Sequence, residues 1–287
     1  MHSLTDKFVL ITGASSGFGA AAACAFATRG SRLLLGARRE EALKSTVAQC
    51  LKAGAASAAH HVLDVSKTDS VEAFVSWVRT RTSRVDVLIN NAGGAHGLDT
   101  VAEGKDADWE AMIQSNVLGL LRVTRAVLPL VPHDAGATII NIGSVAGHTA
   151  YEGGSVYSAA KAGELQITRA LRLELNGTGI RVGTLDPGLA ETEFSLVRFK
   201  GEAGRAKKVY EGMNALTAED IAETLVWIAS RPAHVNIDEL IIKPVDQAAI
   251  HKVYRRTRDG RQEPEDGGQK TEGGRRKTEA GAPVSDL

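Results

Sequence analysis

Seven short runs rich in β-branched residues or leucine recur along the chain, separated by longer stretches. The runs are Phe8–Thr12, Arg32–Leu35, Ala59–Leu63, Val85–Ile89, Ala137–Ile142, Ile180–Leu185 and Glu239–Ile242. Several are apolar throughout, as parallel strands covered on both faces must be. Between them, Ala20–Arg29, Glu40–Lys52, Ser70–Arg79 and Ser155–Leu175 carry helical period. Such alternation predicts an α/β fold: one doubly wound domain on a seven-stranded parallel sheet. We place this domain at residues 1–250; α/β folds often keep such a length in one unit. Residues 251–287 differ. From Arg255 onward almost no apolar residue is present, so this part is expected to be a disordered, charged tail.

The overall balance excludes several classes of partner. Lys+Arg and Asp+Glu both total 34, which gives no basic excess for nucleic acid. No stretch approaches the ~18 uninterrupted apolar residues of a membrane span. Charged Asp6 and Lys7 precede the first strand, where a secretory signal would be apolar. Cys24 and Cys50 form no C-x-x-C pair and are expected as reduced thiols in a cytoplasmic protein. The eight histidines make no ligand cluster, and His60 and His61 fall on opposite strand faces. No metal site is expected.

The first strand leads into Thr12-Gly13-Ala14-Ser15-Ser16-Gly17-Phe18-Gly19 and then an alanine-rich helix. Glycines here permit a tight turn and close approach of backbone to a pyrophosphate. The helix start adds free N–H groups and a positive dipole end. Just past the second strand the sequence reads Ala37-Arg38-Arg39, with no acid before Glu40. An acid at this point would suit the ribose 2′-hydroxyl of NAD, and arginine suits the 2′-phosphate of NADP. Arg38 offers a planar fork of donors, with Ser15 adding a hydroxyl. The cofactor expected is NADP.

Tyr157 and Lys161 are four residues apart on an expected helix and so share a face. Ser144 follows the fifth strand-like run, at the carboxyl edge where open α/β sheets bind ligands. Tyrosine alone, with a reference pKa of ~10, is poorly matched to acid–base work near neutrality. One ammonium at ~4 Å and an effective dielectric of ~20 contributes ~4 kcal/mol toward the phenolate. That equals a displacement of about three pKa units. The magnitude is adequate. A serine hydrolase is disfavoured, because Ile142-Gly143-Ser144-Val145-Ala146-Gly147 has the wrong spacing for G-x-S-x-G. His148 is expected at the pocket mouth or facing solvent.

These motifs resemble the short-chain dehydrogenase/reductase family, whose TGxxxGxG loop is matched by Thr12, Gly13, Gly17 and Gly19. The resemblance implies a Rossmann-like fold and runs over residues 6–250. It further implies that Asp64-Val65 meets the adenine and that Asn91-Ala92-Gly93 of the NNAG stretch line the cofactor. Pro187-Gly188-Leu189, with Thr192, would hold the nicotinamide carboxamide. Tyr157 would be general acid and base, with Ser144 steadying the substrate oxygen. Lys161 would bind the nicotinamide ribose and Asn116 a relay water. The stretches Pro187–Ser195 and Val197–Gly201 are similar to the NADP-dependent 3-hydroxy acid dehydrogenases, including serine and allo-threonine dehydrogenases.

That branch implies a homotetramer acting on small hydroxy acids or their carbonyl products. A 3-hydroxy acid needs a cation for its carboxylate, and Arg198 is the expected one, on a segment folding over the cofactor. A broad carbonyl or sulfonated-aldehyde reductase is the nearer alternative. A non-catalytic, NADP-sensing scaffold is the remote one, opposed by the intact Ser144, Tyr157 and Lys161.

Overall fold

The computed structural model describes residues 3–133 and 136–256. Strands β1 (Phe8–Thr12), β2 (Arg32–Ala37), β3 (Ser57–Val62), β4 (Val87–Asn90), β5 (Thr138–Ile142), β6 (Arg181–Pro187) and β7 (Glu239–Ile242) form one sheet. Its order is β3-β2-β1-β4-β5-β6-β7, and every pairing in it is parallel. The expected doubly wound, Rossmann-like sheet of seven strands is the one observed.

The continuous apolar runs have a direct cause. On β1, Val9 and Ile11 belong to one buried cluster while Leu10 belongs to the other. The first cluster is completed by α1 (Gly17–Ala27), α2 (Glu40–Ala53) and α9 (Ala218–Ala229). Across the sheet lie α3 (Thr68–Arg79), α5 (Gly119–Val127) and α6 (Ser155–Glu174). Helix α1 is alanine-rich because Ala22, Ala23 and Ala27 are buried between the sheet and its neighbours. A short α4 (Asp106–Met112) runs into α5 through a π-helical turn, Ile113–Leu118.

Helix α9 was not anticipated. Its start carries a capping box, in which the Thr217 hydroxyl accepts from the Asp220 N–H and Asp220 answers the Thr217 N–H. At its other end, buried Arg181 donates to the carbonyls of Ile228 and Ala229. Two small helices, α7 (Glu193–Arg198) and α8 (Ala203–Lys208), lie between β6 and α9.

The folded body runs beyond residue 250. Strands β8 (Gln247–Ala249) and β9 (Lys252–Val253) pair antiparallel. Arg256 bridges to Asp246 at 3.0 Å, and Arg255 donates to the Glu211 carbonyl at 2.7 Å. The boundary expected at 250 therefore cuts through a paired hairpin, and 251–256 are not a free tail. The remainder of the expected tail, from 257, lies outside the described residues. The two thiols sit 4.0 Å apart across α1 and α2, with burial pushing that of Cys50 up.

The sequence order of strands reverses between β1 and β4, which opens a crevice at their carboxyl ends. The opposite ends are fastened by Asp86, just before β4. Its carboxylate accepts from the Phe8 N–H at 2.9 Å, Lys7 Nζ at 3.2 Å and Arg84 Nε at 2.6 Å. Burial pushes the Asp86 carboxyl up, but these donors outweigh it and hold the group below the usual range. A depressed native pKa gives stability that is present above the unfolded value, near 4, and fades as pH falls. Asp86→Ala is therefore expected to lower unfolding free energy by about 2 kcal/mol at pH 7, the worth of hydrogen bonds to a charged group. Urea unfolding of both proteins checks this, and the gap should close toward pH 2.

Candidate active site

The crevice holds a cavity of about 970 Å³, walled by the loops that follow β1, β4, β5 and β6. The loop after β1 is shaped by its glycines. Gly13 and Gly17 have φ of +67° and +51°, left-handed values that favour glycine. A Cβ on Gly13 would stand 2.7 Å from Asn91 Nδ2, and one on Gly19 would overlap the Gly13 carbonyl oxygen. The turn is thus tight enough to bring bare backbone to the cavity wall beside Ser15, Phe18 and the start of α1. Such a terminus presents unpaired N–H groups to an anion.

Asn91 holds this loop in place. Its Nδ2 donates to the carbonyls of Thr12 (2.8 Å) and Gly13 (3.2 Å). The Thr12 hydroxyl in turn accepts from the N–H groups of Asn91 and Ala92. The Asn91 side chain therefore braces the loop, while Ala92 and Gly93 line the cavity.

Two arginines stand at the carboxyl end of β2, both exposed and both on the cavity wall. Arg39 is the one that engages the glycine loop. It reaches Ser15 Oγ (3.3 Å), Ser16 Oγ (2.5 Å) and Glu193 Oε2 (2.9 Å). Arg38, beside it, faces Asp64. Burial pushes the Asp64 carboxyl up, yet bonds from Ser66 and the charges of Arg38 and Lys67 hold it below the usual range. Val65 lies beside it on the wall.

On the far side, the Gly188 N–H donates to the Ile242 carbonyl and the Leu189 N–H to Gln247 Oε1 (2.8 Å). Thr192 caps α7 through the Phe194 N–H. It also sits against Gly17, since a Cβ there would lie 3.6 Å from that of Thr192. Pro187, Gly188, Leu189 and Thr192 all line the cavity.

The expected acid–base residues share the floor of this cavity. Ser144, at the end of β5, accepts from the Ala146 N–H at 3.1 Å through Oγ, which leaves its own proton free to donate. Tyr157 is buried on α6, its ring 5.8 Å from that of Phe194. Lys161, one turn on, holds its Nζ 5.9 Å from the Tyr157 ring centre. That ammonium donates to the Ile142 carbonyl (2.9 Å) and to Glu164 Oε2 (2.8 Å). Burial works against the charged lysine, but Glu164 and Tyr157 raise its pKa overall. Burial pushes Glu164 up to about 7, despite Lys161 beside it.

Asn116 does not line the cavity. Fully buried in the π-turn, it bonds the Met112 carbonyl and both the N–H and carbonyl of Gly94. A Cβ on Gly93 would meet Asn116 Oδ1 and come within 3.9 Å of Lys161 Nζ. Asn116 and Lys161 thus converge behind Gly93. Gly19 is the other expected residue set behind the wall.

Arg198, the last residue of α7, turns into the cavity. Its guanidinium carbon lies 5.7 Å from the Tyr157 ring centre and 5.4 Å from that of Tyr151. Nε donates to the Gly97 carbonyl (3.0 Å) and Nη2 to the Tyr151 hydroxyl (2.6 Å). Tyr151 escaped the sequence reading, because it precedes α6 in an irregular stretch without a period. Tyr210 escaped too; its hydroxyl meets Ser195 Oγ (2.7 Å) and the Ala190 carbonyl (2.9 Å). Gln247 likewise gave no local sign of its reach to Leu189. His148 does not line the cavity but is exposed, the second of the two positions expected for it. Its Nε2 lies 2.6 Å from buried Asp186 Oδ2, behind Ser144.

Comparison with known proteins agrees with this geometry. The pattern of the short chain dehydrogenases matches residues 7–202. The chain is 44% identical over 244 residues to "Sulfoacetaldehyde reductase 2" of Chromohalobacter salexigens, which spans 85% of this chain and 96% of that one. It is 43% identical to an NADP-dependent 3-hydroxy acid dehydrogenase of Salmonella typhi, over 84% of this chain and 96% of that one. A solved structure, "the closed form of serine dehydrogenase complexed with NADP+", is similar with a TM-score of 0.80 and 40% identity. That match covers 84% of this chain and 96% of the other. With more than half its length inside the matching pattern, the chain belongs to the short-chain dehydrogenase family.

Proposed function

We propose that this protein is an NADP-dependent oxidoreductase that oxidises the hydroxyl of small 3-hydroxy acids or β-hydroxy amino acids to the 3-oxo product, reversibly. The observation that carries the reading is Arg198, a cation held over the ring of the acid–base tyrosine by Tyr151 and Gly97. A carboxylate taken by that fork sets a hydroxyl two carbons away toward Tyr157.

Each side chain then has a role. In oxidation the Tyr157 phenolate accepts the proton leaving the substrate hydroxyl, and in reduction the phenol returns it. Ser144 donates to the substrate oxygen and stabilises charge as it develops there. Lys161 has two of its three N–H donors engaged, which leaves one for the nicotinamide ribose. In this reading Asn116, which converges with Lys161 behind Gly93, would hold a relay water beside the lysine. NADP supplies the hydride acceptor, or in reverse the donor.

The residues present fit that cofactor. The glycine loop has no room for side chains against its backbone, and the end of β2 carries Arg38 and Arg39 where an acid would mark NAD. Arg39, Ser15 and Arg38 would hold the 2′-phosphate, and Asp64 and Val65 the adenine. Ala92 and Gly93 would border the ribose. Pro187, Gly188, Leu189 and Thr192 would hold the carboxamide. A homotetramer comes with this reading from the family resemblance.

A second reading has an observation in its favour. The relative named for sulfoacetaldehyde reduction is as similar as the 3-hydroxy acid dehydrogenase, and a guanidinium fork accepts a sulfonate equally well. In either case Arg198 is the anion hook.

Three outcomes test the reading. Arg198→Ala should raise KM for 3-hydroxy acids about 10–100-fold, the worth of a charge-assisted hydrogen bond, and spare neutral alcohols. Equal losses on both would remove Arg198 from this role. An initial-rate panel of 3-hydroxy acids, sulfonated aldehydes and neutral ketones ranks the two anion classes, and faster turnover of the sulfonates would favour the second reading. Joint replacement of Arg38 and Arg39 by alanine should weaken NADP at least 10-fold relative to NAD, roughly one lost charge-assisted contact, as read by fluorescence titration.

A further inference from the structure

A carboxylate sits where the chemistry above gives no reason for one. Glu164 is 4% exposed, one turn beyond Lys161 on the same face of α6. Its Oε2 accepts from Lys161 Nζ at 2.8 Å. Both partners are buried, so the attraction between them is little screened by solvent. Removing two charges from water is costly, and packing alone would be served as well by an apolar pair in place of both residues. The pair asks for another explanation.

That explanation starts from Lys161. The proposed acid–base step, on which this inference rests, uses the lysine's positive charge to favour the Tyr157 phenolate. An ionised Glu164 offsets most of that charge. A protonated Glu164 restores it. Besides Tyr157 and Lys161 on α6, the group facing Glu164 is Asp186 on β6. Asp186 is itself engaged, accepting from Thr184 Oγ1 at 2.6 Å and meeting His148 Nε2 at 2.6 Å. The π-turn contributes only the uncharged Asn116 near Lys161. Glu164 is thus the titratable group in direct contact with the lysine.

We propose that Glu164 is a positioning residue acting through Lys161: it pins the ammonium against the Ile142 carbonyl and, by its own protonation state, meters the charge that Tyr157 feels. Burial brings Glu164 up to about 7, so the metering operates near neutral pH. As Glu164 ionises on the alkaline side, the phenolate becomes harder to form. Phenolate formation is therefore spread over a wider pH range than one isolated tyrosine would show. The enzyme's activity gains a flatter dependence on pH.

The test is a phenolate absorbance titration of the cofactor-free protein, from which the same titration of Tyr157→Phe is subtracted. It needs no substrate, so it stands apart from the substrate reading; an inactive wild type would sink that reading and leave this one measurable. In Glu164→Gln the Tyr157 phenolate should form about one pH unit lower, the effect of removing a nearby like charge, and over a narrower range. Glu164→Asp, which keeps the carboxylate, should follow the wild type. The acid-side limb of kcat/KM for alcohol oxidation should move with the absorbance. A Gln variant with an unmoved curve, or an Asp variant displaced as far as Gln, overturns the proposal. Should Gln not fold, infrared difference spectra of the wild type decide. A buried carboxylic acid titrating near pH 7 supports the proposal, and its absence overturns it.

Discussion

A single buried ammonium joins the parts of this molecule that have to act together. Lys161 Nζ ties helix α6 to the last carbonyl of β5, Ile142, and meets Glu164 within its own helix. Because that carbonyl belongs to the strand leading to Ser144, the tether fixes the register between the serine and the tyrosine one turn before the lysine. The same charge stands under the Tyr157 ring and behind Gly93. Moving it would disturb Tyr157, Ser144 and the loop after β4 at once. An uncompensated charge in that position would cost several kcal/mol, and the two acceptors supply the compensation.

The rest of the site is arranged around this point by the sheet. Reversal of strand order between β1 and β4 leaves room for a ligand, and four loops at the carboxyl edge close around it. Asn91 makes the first two loops one unit by bracing the carbonyls of Thr12 and Gly13. Gln247, from the hairpin past β7, holds the loop after β6 at Leu189. Arg39 then links the glycine loop to α7 through Glu193, so the cofactor end and the Arg198 end of the cleft are mechanically connected.

The sheet and the shared helix face of Tyr157 and Lys161 could be read from the chain because their signals are local. Val9, Leu10 and Ile11 are all apolar since both sheet faces are covered. Tyr157 and Lys161 share a face because helical period dictates it. Where the reading fell short, the cause lay in contacts between distant residues. That Arg39 spans Ser15 and Glu193, some 150 residues on, left no local signal. His148 is the surface group it was read as, but its contact with Asp186, 38 residues on, had no local signal. Tyr151 and Tyr210 stand in irregular segments where no period marks a buried hydroxyl. The hairpin at 247–253 is too short to show a strand period, and Asp246 and Gln247 hold it through contacts with Arg256 and Leu189.

The central claim is that the Tyr157 hydroxyl moves the proton while hydride passes to NADP from a small anionic substrate gripped at Arg198. The most direct measurement compares NADPH formation by wild type and Tyr157→Phe on the best 3-hydroxy acid, with NADPH affinity measured alongside. The account predicts a fall in kcat of about 10²–10⁴-fold, the usual contribution of a general acid–base group, with cofactor affinity little changed. Turnover by the phenylalanine variant equal to that of the wild type would contradict it.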